Sequence, residues 1–179
     1  RGLLVKGGAA LETLGKVRTI AFDKTGTLTI GKPQVTDIVA IEGTEDDVLA
    51  KAAAVERSSS HPLGLSILAS AEARGLAIPQ NFGGNNAVPG KAVTARLREG
   101  FLSVGSARYA AELALLPDDV APRIEALEDE GKTVVVVLVG KRVIGLIALR
   151  DQPRDDAAHG IARLRALGIR TVMLTGDNR

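Results

Sequence analysis

Asp23 ends an apolar run, Val17-Arg18-Thr19-Ile20-Ala21-Phe22, and passes at once into Lys24-Thr25-Gly26-Thr27. The run has the length and residue types of a buried strand. A carboxylate at the carboxyl end of such a strand is held in a crevice, where N–H groups of the following turn can cradle phosphate oxygens and threonine hydroxyls can donate to them. So placed, the carboxylate can attack a phosphoryl group and form an aspartyl phosphate. A strand followed by an Asx-type turn would also account for Asp, Thr and Gly in this order. Near the other end Thr171-Val172-Met173-Leu174 leads into Thr175-Gly176-Asp177, which alone is a common turn.

Three more places have cap or turn character. His61 stands before Pro62 at the start of a helix-prone segment, with Glu56 five residues earlier; a single His there more often caps a helix or lies on the surface. Val88-Pro89-Gly90-Lys91-Ala92-Val93 carries a glycine whose missing side chain lets backbone approach a ligand. Gly105-Ser106 follows a strand-like run, and both of these places also suit ordinary turns. Gly90-Lys91 and Gly131-Lys132-Thr133 look like pieces of a phosphate-binding P-loop, but the glycine required five residues earlier is Asn85 in one case and Ala126 in the other. Neither is a P-loop.

Composition narrows the chemistry. The chain has 179 residues, 45% hydrophobic and 25% charged, enough to bury a core in one or two domains. No cysteine is present, and His61 and His159 are the only histidines, which excludes disulfides, thiolate metal sites, cysteine nucleophiles and a histidine zinc centre. With 23 Lys+Arg against 21 Asp+Glu scattered along the chain, and 2% aromatic residues, nucleic acid is not an expected partner. No apolar run reaches the roughly 20 residues that span a bilayer, so a soluble polypeptide is expected. It is also expected to be monomeric.

The elements that must position these residues follow from pattern. Glu45 to Arg57 and Leu63 to Arg74 are alanine-rich and helix-prone, joined by Ser58-Ser59-Ser60-His61-Pro62 with its turn and cap residues. Val93 to Arg98 and Phe101 to Val104 alternate around Glu99-Gly100, and Thr133 to Val139 and Arg142 to Leu149 around Gly140-Lys141, as antiparallel hairpins do. A helix is predicted over Val120 to Glu130, ending at Gly131, and another through Ile161, Leu164 and Leu167 to Gly168. The pattern predicts an α/β protein: an antiparallel sheet with flanking helices, inserted into part of a parallel α/β framework. Seams are expected near Lys32-Pro33 and Asp151-Gln152-Pro153.

The whole stretch Asp23-Lys24-Thr25-Gly26-Thr27-Leu28-Thr29 resembles the phosphorylation signature of P-type ATPases, ion pumps that cycle through an acyl phosphate. The resemblance implies that Asp23 is the phosphorylated nucleophile and shares Mg²⁺ with the nucleotide, that Lys24 and Thr25 hold the phosphoryl group, and that Thr175, Gly176 and Asp177 form the second phosphate-binding motif. Phosphatases of the same superfamily typically carry a second Asp two residues on, as acid and base. Here that position is Thr25, and without a carboxyl group beside the leaving oxygen an acyl phosphate should survive longer.

Glu56, the serine-rich loop and His61-Pro62-Leu63 resemble the nucleotide-binding domain of the heavy-metal, type IB, subgroup, in which the His helps orient adenine. By that resemblance Gly90 and Ala92 stand at the family's Gly-x-Gly loop, with one methyl added at the second position, and Gly105-Ser106 where the family usually has Gly-Asn. Asp151 falls in the segment with which family chains return to the phosphorylation domain. The implied layout is a first part of a haloacid dehalogenase-like phosphorylation domain at 1–33, a nucleotide-binding domain at 34–149, and a second, incomplete part of the phosphorylation domain at 150–179. The implied function is the cytosolic ATP-binding region of a metal-exporting integral membrane pump, using ATP and Mg²⁺ and partnered by the rest of that pump. Because no Gly-Asp-Gly motif with its Mg²⁺ carboxylate follows Arg179, this polypeptide is expected to bind ATP with little or no turnover. Ala53-Ala54-Val55-Glu56, Ser60 before the His and Ile147 to Asp151 look more like exporters of zinc, cadmium or lead than of copper. Two other classes stay open: a soluble phosphohydrolase of the same superfamily with residues 34–149 as a cap, and a non-catalytic interaction module.

Overall fold

The computed structural model describes residues 5–84, 86–113 and 116–174, apart from the Thr25 side chain. Chain order runs α1 (Gly8–Gly15), β1 (Thr19–Asp23), a π-helical turn (Lys24–Leu28), β2 (Thr29–Ala40), α2 (Glu45–Glu56), α3 (Pro62–Ala73), β3 (Asn86–Val88), β4 (Ala92–Leu97) and β5 (Gly100–Ser106). It continues through α4 (Ala107–Leu113), α5 (Val120–Asp129), β6 (Thr133–Val139), β7 (Arg142–Pro153), α6 (Ala157–Ala166) and β8 (Arg170–Leu174). Two compact units emerge, one of residues 1–31 with 152–179 and one of residues 32–151.

In the first unit β1 and β8 pair in parallel, with Thr19 opposite Arg170 and Asp23 opposite Leu174. Parallel strands need a long crossover between them, and here that crossover contains the whole second unit. The Arg154 N–H donates to the Leu28 carbonyl, which ties the returning chain to the turn after β1.

The second unit is built on a six-stranded sheet of order β2-β7-β6-β5-β4-β3, whose ladders from β3 to β7 are antiparallel. Alternation along β6 sends Val135 and Val137 into one apolar cluster and Val134, Val136 and Leu138 into another, as a strand with period two must. The first cluster is closed by α2 and α3 through Val48, Leu49, Ala52, Val55 and Ile67. Ala110 of α4 and Val120 and Ile124 of α5 close the second. The runs of valine and leucine in β6 and β7 therefore mark strands covered on both faces.

Helix α2 starts where its sequence directs. Thr44 Oγ1 accepts the Asp47 N–H at 3.2 Å, Asp47 Oδ2 accepts the Thr44 N–H at 3.2 Å, and Glu45, Asp46 and Asp47 fill the positive first turn. Strand β2 was not expected, because Gly31 and Pro33 look like breakers and mark the predicted seam. It lies at the sheet edge, where a proline without an N–H is tolerated. Strand β7 runs past Leu149 to Pro153. Among the described residues no helix is long and apolar enough to cross a membrane.

Candidate functional site

The first group of interest is Asp23 with its turn. Asp23 is the final residue of β1, exposed, and opposite the final residue of β8, so the carboxyl ends of two parallel strands lie side by side there. Thr29, only 8% exposed, closes the turn: its Oγ1 accepts the Gly26 N–H at 3.1 Å and donates to the Lys24 carbonyl at 3.1 Å. The turn that directly follows Asp23 is thus held at Lys24 and Gly26 by a neighbouring hydroxyl. Thr175, Gly176 and Asp177 lie outside the described residues, as does the Thr25 side chain. Among the described residues no group of three His, Cys, Asp or Glu side chains could enclose a metal.

The second group joins the end of α2 to the start of α3. Glu56 is 6% exposed, and its Oε2 is buried with no hydrogen-bond partner among the described residues. Burial pushes its carboxyl above the ordinary value, and a hydrogen bond from Ser59 opposes that rise in part. His61 is the N-cap of α3: its Nδ1 accepts the Leu63 N–H at 3.3 Å, and Pro62 takes the helix position whose N–H is not needed. With Nδ1 accepting, the proton of the neutral imidazole resides on Nε2, which leaves a donor for a ligand. The Ser59 hydroxyl accepts the His61 N–H at 3.2 Å, and its oxygen borders the same point beside Gly64 as Glu56 Oε2, so one side chain stands between Glu56 and His61. Gly64 makes this possible. A Cβ there would enter the Glu56 carboxyl, overlapping Oε2, and would come within 2.7 Å of Ser59 Oγ.

The third group lies on the β3–β4–β5 hairpins. Gly90, at φ +68°, follows Pro89 in a turn closed by the Lys91 N–H and the Val88 carbonyl at 2.9 Å, a position that demands glycine. Ala92 pairs across the ladder with Gly105, and a Cβ on Gly105 would meet the Ala92 methyl and Tyr109 Cδ1 at 2.7 Å each and the Lys91 carbonyl at 2.8 Å. The methyl that departs from a Gly-x-Gly pattern therefore packs against Gly105. Ser106 is engaged structurally, its Oγ accepting the Tyr109 N–H at 3.2 Å at the start of α4. Lys91 is drawn to Glu112 at 2.6 Å, an ion pair that holds the Glu112 carboxyl below its ordinary range.

The structure thus unites Glu56 with His61, and Gly90 with Ala92, Gly105 and Ser106. No hydrogen bond links these two sets among the described residues. Sequence reasoning named Ser59 and Thr29 only as members of their stretches, with no role of their own, and missed Gly64 and Tyr109. Ser59 had a usable signal, since a serine two residues before an N-cap commonly bonds the backbone ahead of it; the other three depend on packing that no local pattern encodes.

Comparison with known proteins places this geometry. The haloacid dehalogenase-like hydrolase family matches residues 17–179. The chain belongs to that family. This haloacid dehalogenase-like chain is also 44% identical over 99% of its length to the probable copper-exporting P-type ATPase V of Mycobacterium tuberculosis, of which it covers 23%. It superposes on the crystal structure of a zinc-transporting PIB-type ATPase with a TM-score of 0.71 and 45% identity, covering 99% of this chain and 29% of that one. The N-domain of a copper-transporting P-type ATPase matches with a TM-score of 0.56 and 33% identity, covering 65% of this chain and 99% of that one. The resemblance to heavy-metal P-type ATPases holds, and the chain spans about a quarter of the length of the curated relatives it matches. An antiparallel sheet in one unit and a parallel α/β unit of haloacid dehalogenase-like type are the fold expected from the sequence.

Proposed function

We propose that this chain is the ATP-binding and phosphorylation region of a heavy-metal-exporting P-type ATPase, with residues 34–149 as its nucleotide-binding domain and residues 1–33 and 150–179 as parts of its phosphorylation domain. The observation that carries the reading is the Glu56 carboxyl: buried, with an oxygen lacking a partner, beside the N-cap histidine. Leaving a buried acceptor unmade costs about 1–3 kcal/mol, and an entering N–H group removes that cost. The exocyclic amine of adenine is such a group, and His61 Nε2–H offers the complementary donor. Gly90, Ala92, Gly105 and Ser106 supply the backbone-rich surface expected near the rest of the nucleotide.

In the intact pump an Asp23 carboxylate oxygen attacks the γ-phosphorus of ATP. The new O–P bond forms as the bond to the β–γ bridging oxygen breaks, and ADP leaves with that electron pair. Lys24, Thr25 and Thr175 stabilise the charge on the transferred group. Mg²⁺ is usually held by one or two carboxylates together with phosphate oxygens, and Asp23 is suited to supply one of them. When bound, it neutralises charge on the transferring phosphoryl group. Thr25, in place of a second Asp, leaves that position without a carboxyl group to activate water, which favours a lasting aspartyl phosphate over phosphatase turnover. The region would face the cytosol, and the choice of metal rests with ligands outside this chain.

The test is an ATP titration, with and without Mg²⁺, of this chain and its His61→Ala variant, followed by amide NMR. Shifts at Glu56, His61, Gly90 and Gly105 that weaken in the variant are expected. A folded protein that shows none, or one that rapidly hydrolyses small phosphoesters, would overturn the reading.

A further inference from the structure

We infer that Ser59 is a positioning residue for the nucleotide, holding the Glu56 carboxyl and the His61 cap in one fixed arrangement without touching the ligand itself. This rests on the reading of Glu56 and His61 as nucleotide contacts. Glu56 closes α2 and His61 opens α3, so neither helix alone determines the spacing between them. One serine does. The Ser59 N–H donates to the Glu56 carbonyl at 2.8 Å, its Oγ accepts the His61 N–H at 3.2 Å, and that Oγ borders the same point beside Gly64 as Glu56 Oε2. A hydroxyl has one donor and two acceptor positions, so accepting from His61 leaves its proton for the Glu56 carboxyl, whose rise on burial it opposes. Ser58 and Ser60 are exposed while Ser59 is half-buried, which singles out the middle serine. Gly64 keeps the space free, since a Cβ there would lie 2.7 Å from Ser59 Oγ.

The hydroxyl also decides which way the carboxyl turns. Among the described residues Glu56 Oε2 has no hydrogen-bond partner, and a carboxyl held beside the Ser59 hydroxyl presents that oxygen in a constant direction. Without the anchor, the side chain is free to change rotamer, and the adenine amine loses a prearranged acceptor. His61, released at its N–H, would cap α3 less tightly. Besides burial, Ser59 is the side chain that acts on the Glu56 carboxyl; His61 and Arg57, the neighbouring ionisable groups, are both exposed.

The experiment compares wild type with Ser59→Ala, Ser59→Thr, Ser59→Cys and Ser60→Ala, using two readouts: ATP affinity by calorimetry and the titration of the Glu56 side-chain carboxyl by carbon-13 NMR. Ser59→Ala is expected to weaken ATP by about fivefold, the loss of one modest hydrogen bond, and to raise the Glu56 titration midpoint. Ser59→Thr should restore both, Ser60→Ala should change neither, and Ser59→Cys, close in size but a weaker donor, should fall between Ser and Ala. If Ser59→Ala fails to fold, the Cys and Thr variants still give the ordering. Unchanged affinity and titration in folded Ser59→Ala or Ser59→Cys would overturn the inference and leave Ser59 as a turn residue. A wild-type protein that binds no ATP would overturn the nucleotide reading itself, and this inference with it.

Discussion

Replacing Gly64 by alanine should reveal how tightly the α2–α3 junction is packed. Gly64 is the third residue of α3 and has an ordinary helical backbone, so alanine propensity alone would stabilise the variant by up to about 1 kcal/mol. The added Cβ, however, overlaps Glu56 Oε2 and lies 2.9 Å from Glu56 Cδ and 2.7 Å from Ser59 Oγ. Overpacking of this kind costs about 1–3 kcal/mol, so the expected sum is a net loss of about 1 kcal/mol. The cause is checked by a double-mutant cycle read from urea unfolding by circular dichroism. In a Glu56→Ala background the main obstruction is gone, Ser59 can turn its hydroxyl away, and Gly64→Ala should change sign and stabilise by roughly 0.5–1 kcal/mol. A coupling of about 2 kcal/mol is therefore expected. Additive effects, or a stabilising Gly64→Ala in the wild-type background, would show that the carboxyl is not wedged against this helix turn and would refute the packing on which the candidate site depends.

Burial raises the Glu56 carboxyl above its ordinary value of 4.5, so in the window above that value the folded chain holds more protons than the unfolded one. Its contribution is full below about pH 4.5 and is lost as pH rises through the folded value; Glu56→Gln should match wild type at low pH, exceed it at neutral pH, and flatten the difference curve in urea denaturation. Identical pH profiles would argue against a desolvated carboxylate. His61→Ala should cost about 1 kcal/mol through the lost α3 cap, and His61→Asn, which can cap through its own oxygen, should recover most of it in thermal unfolding. Gly105→Ala should cost about 2 kcal/mol, since a Cβ would press on the Lys91 carbonyl as well as on Ala92 and Tyr109. Ala92→Gly should relieve only part of that cost in the double variant.

Much of the sheet was legible because β6 and the start of β7 carry unbroken apolar runs bounded by Gly140-Lys141, and the two ladders form where those runs lie. Strand β2 was hidden because Gly31 and Pro33 punctuate a sequence whose pairing is made by backbone at an edge, which side-chain pattern does not report. The polar end of β7 escaped for the same reason. Glu56 and His61 were singled out by family resemblance rather than by spacing, and their relation was not legible: it passes through a serine side chain and depends on a missing side chain at Gly64. Ser106 shows the reverse case. A residue placed near a ligand by sequence turns out to have its hydroxyl committed to the first turn of α4.

The Lys32 N–H donates to Asp151 Oδ1 at 3.1 Å, and these are the first and last residues of the second unit. Entry and exit of the insertion are thus within one hydrogen bond, as in domains that tolerate transplantation. To the rest of the chain, everything from 32 to 151 costs little more in loop-closure entropy than a tight turn once that unit has folded. A short Gly-Ser linker could stand in its place, and the excised piece could be joined end to end into a circle, so the two units of this chain are separable objects for engineering.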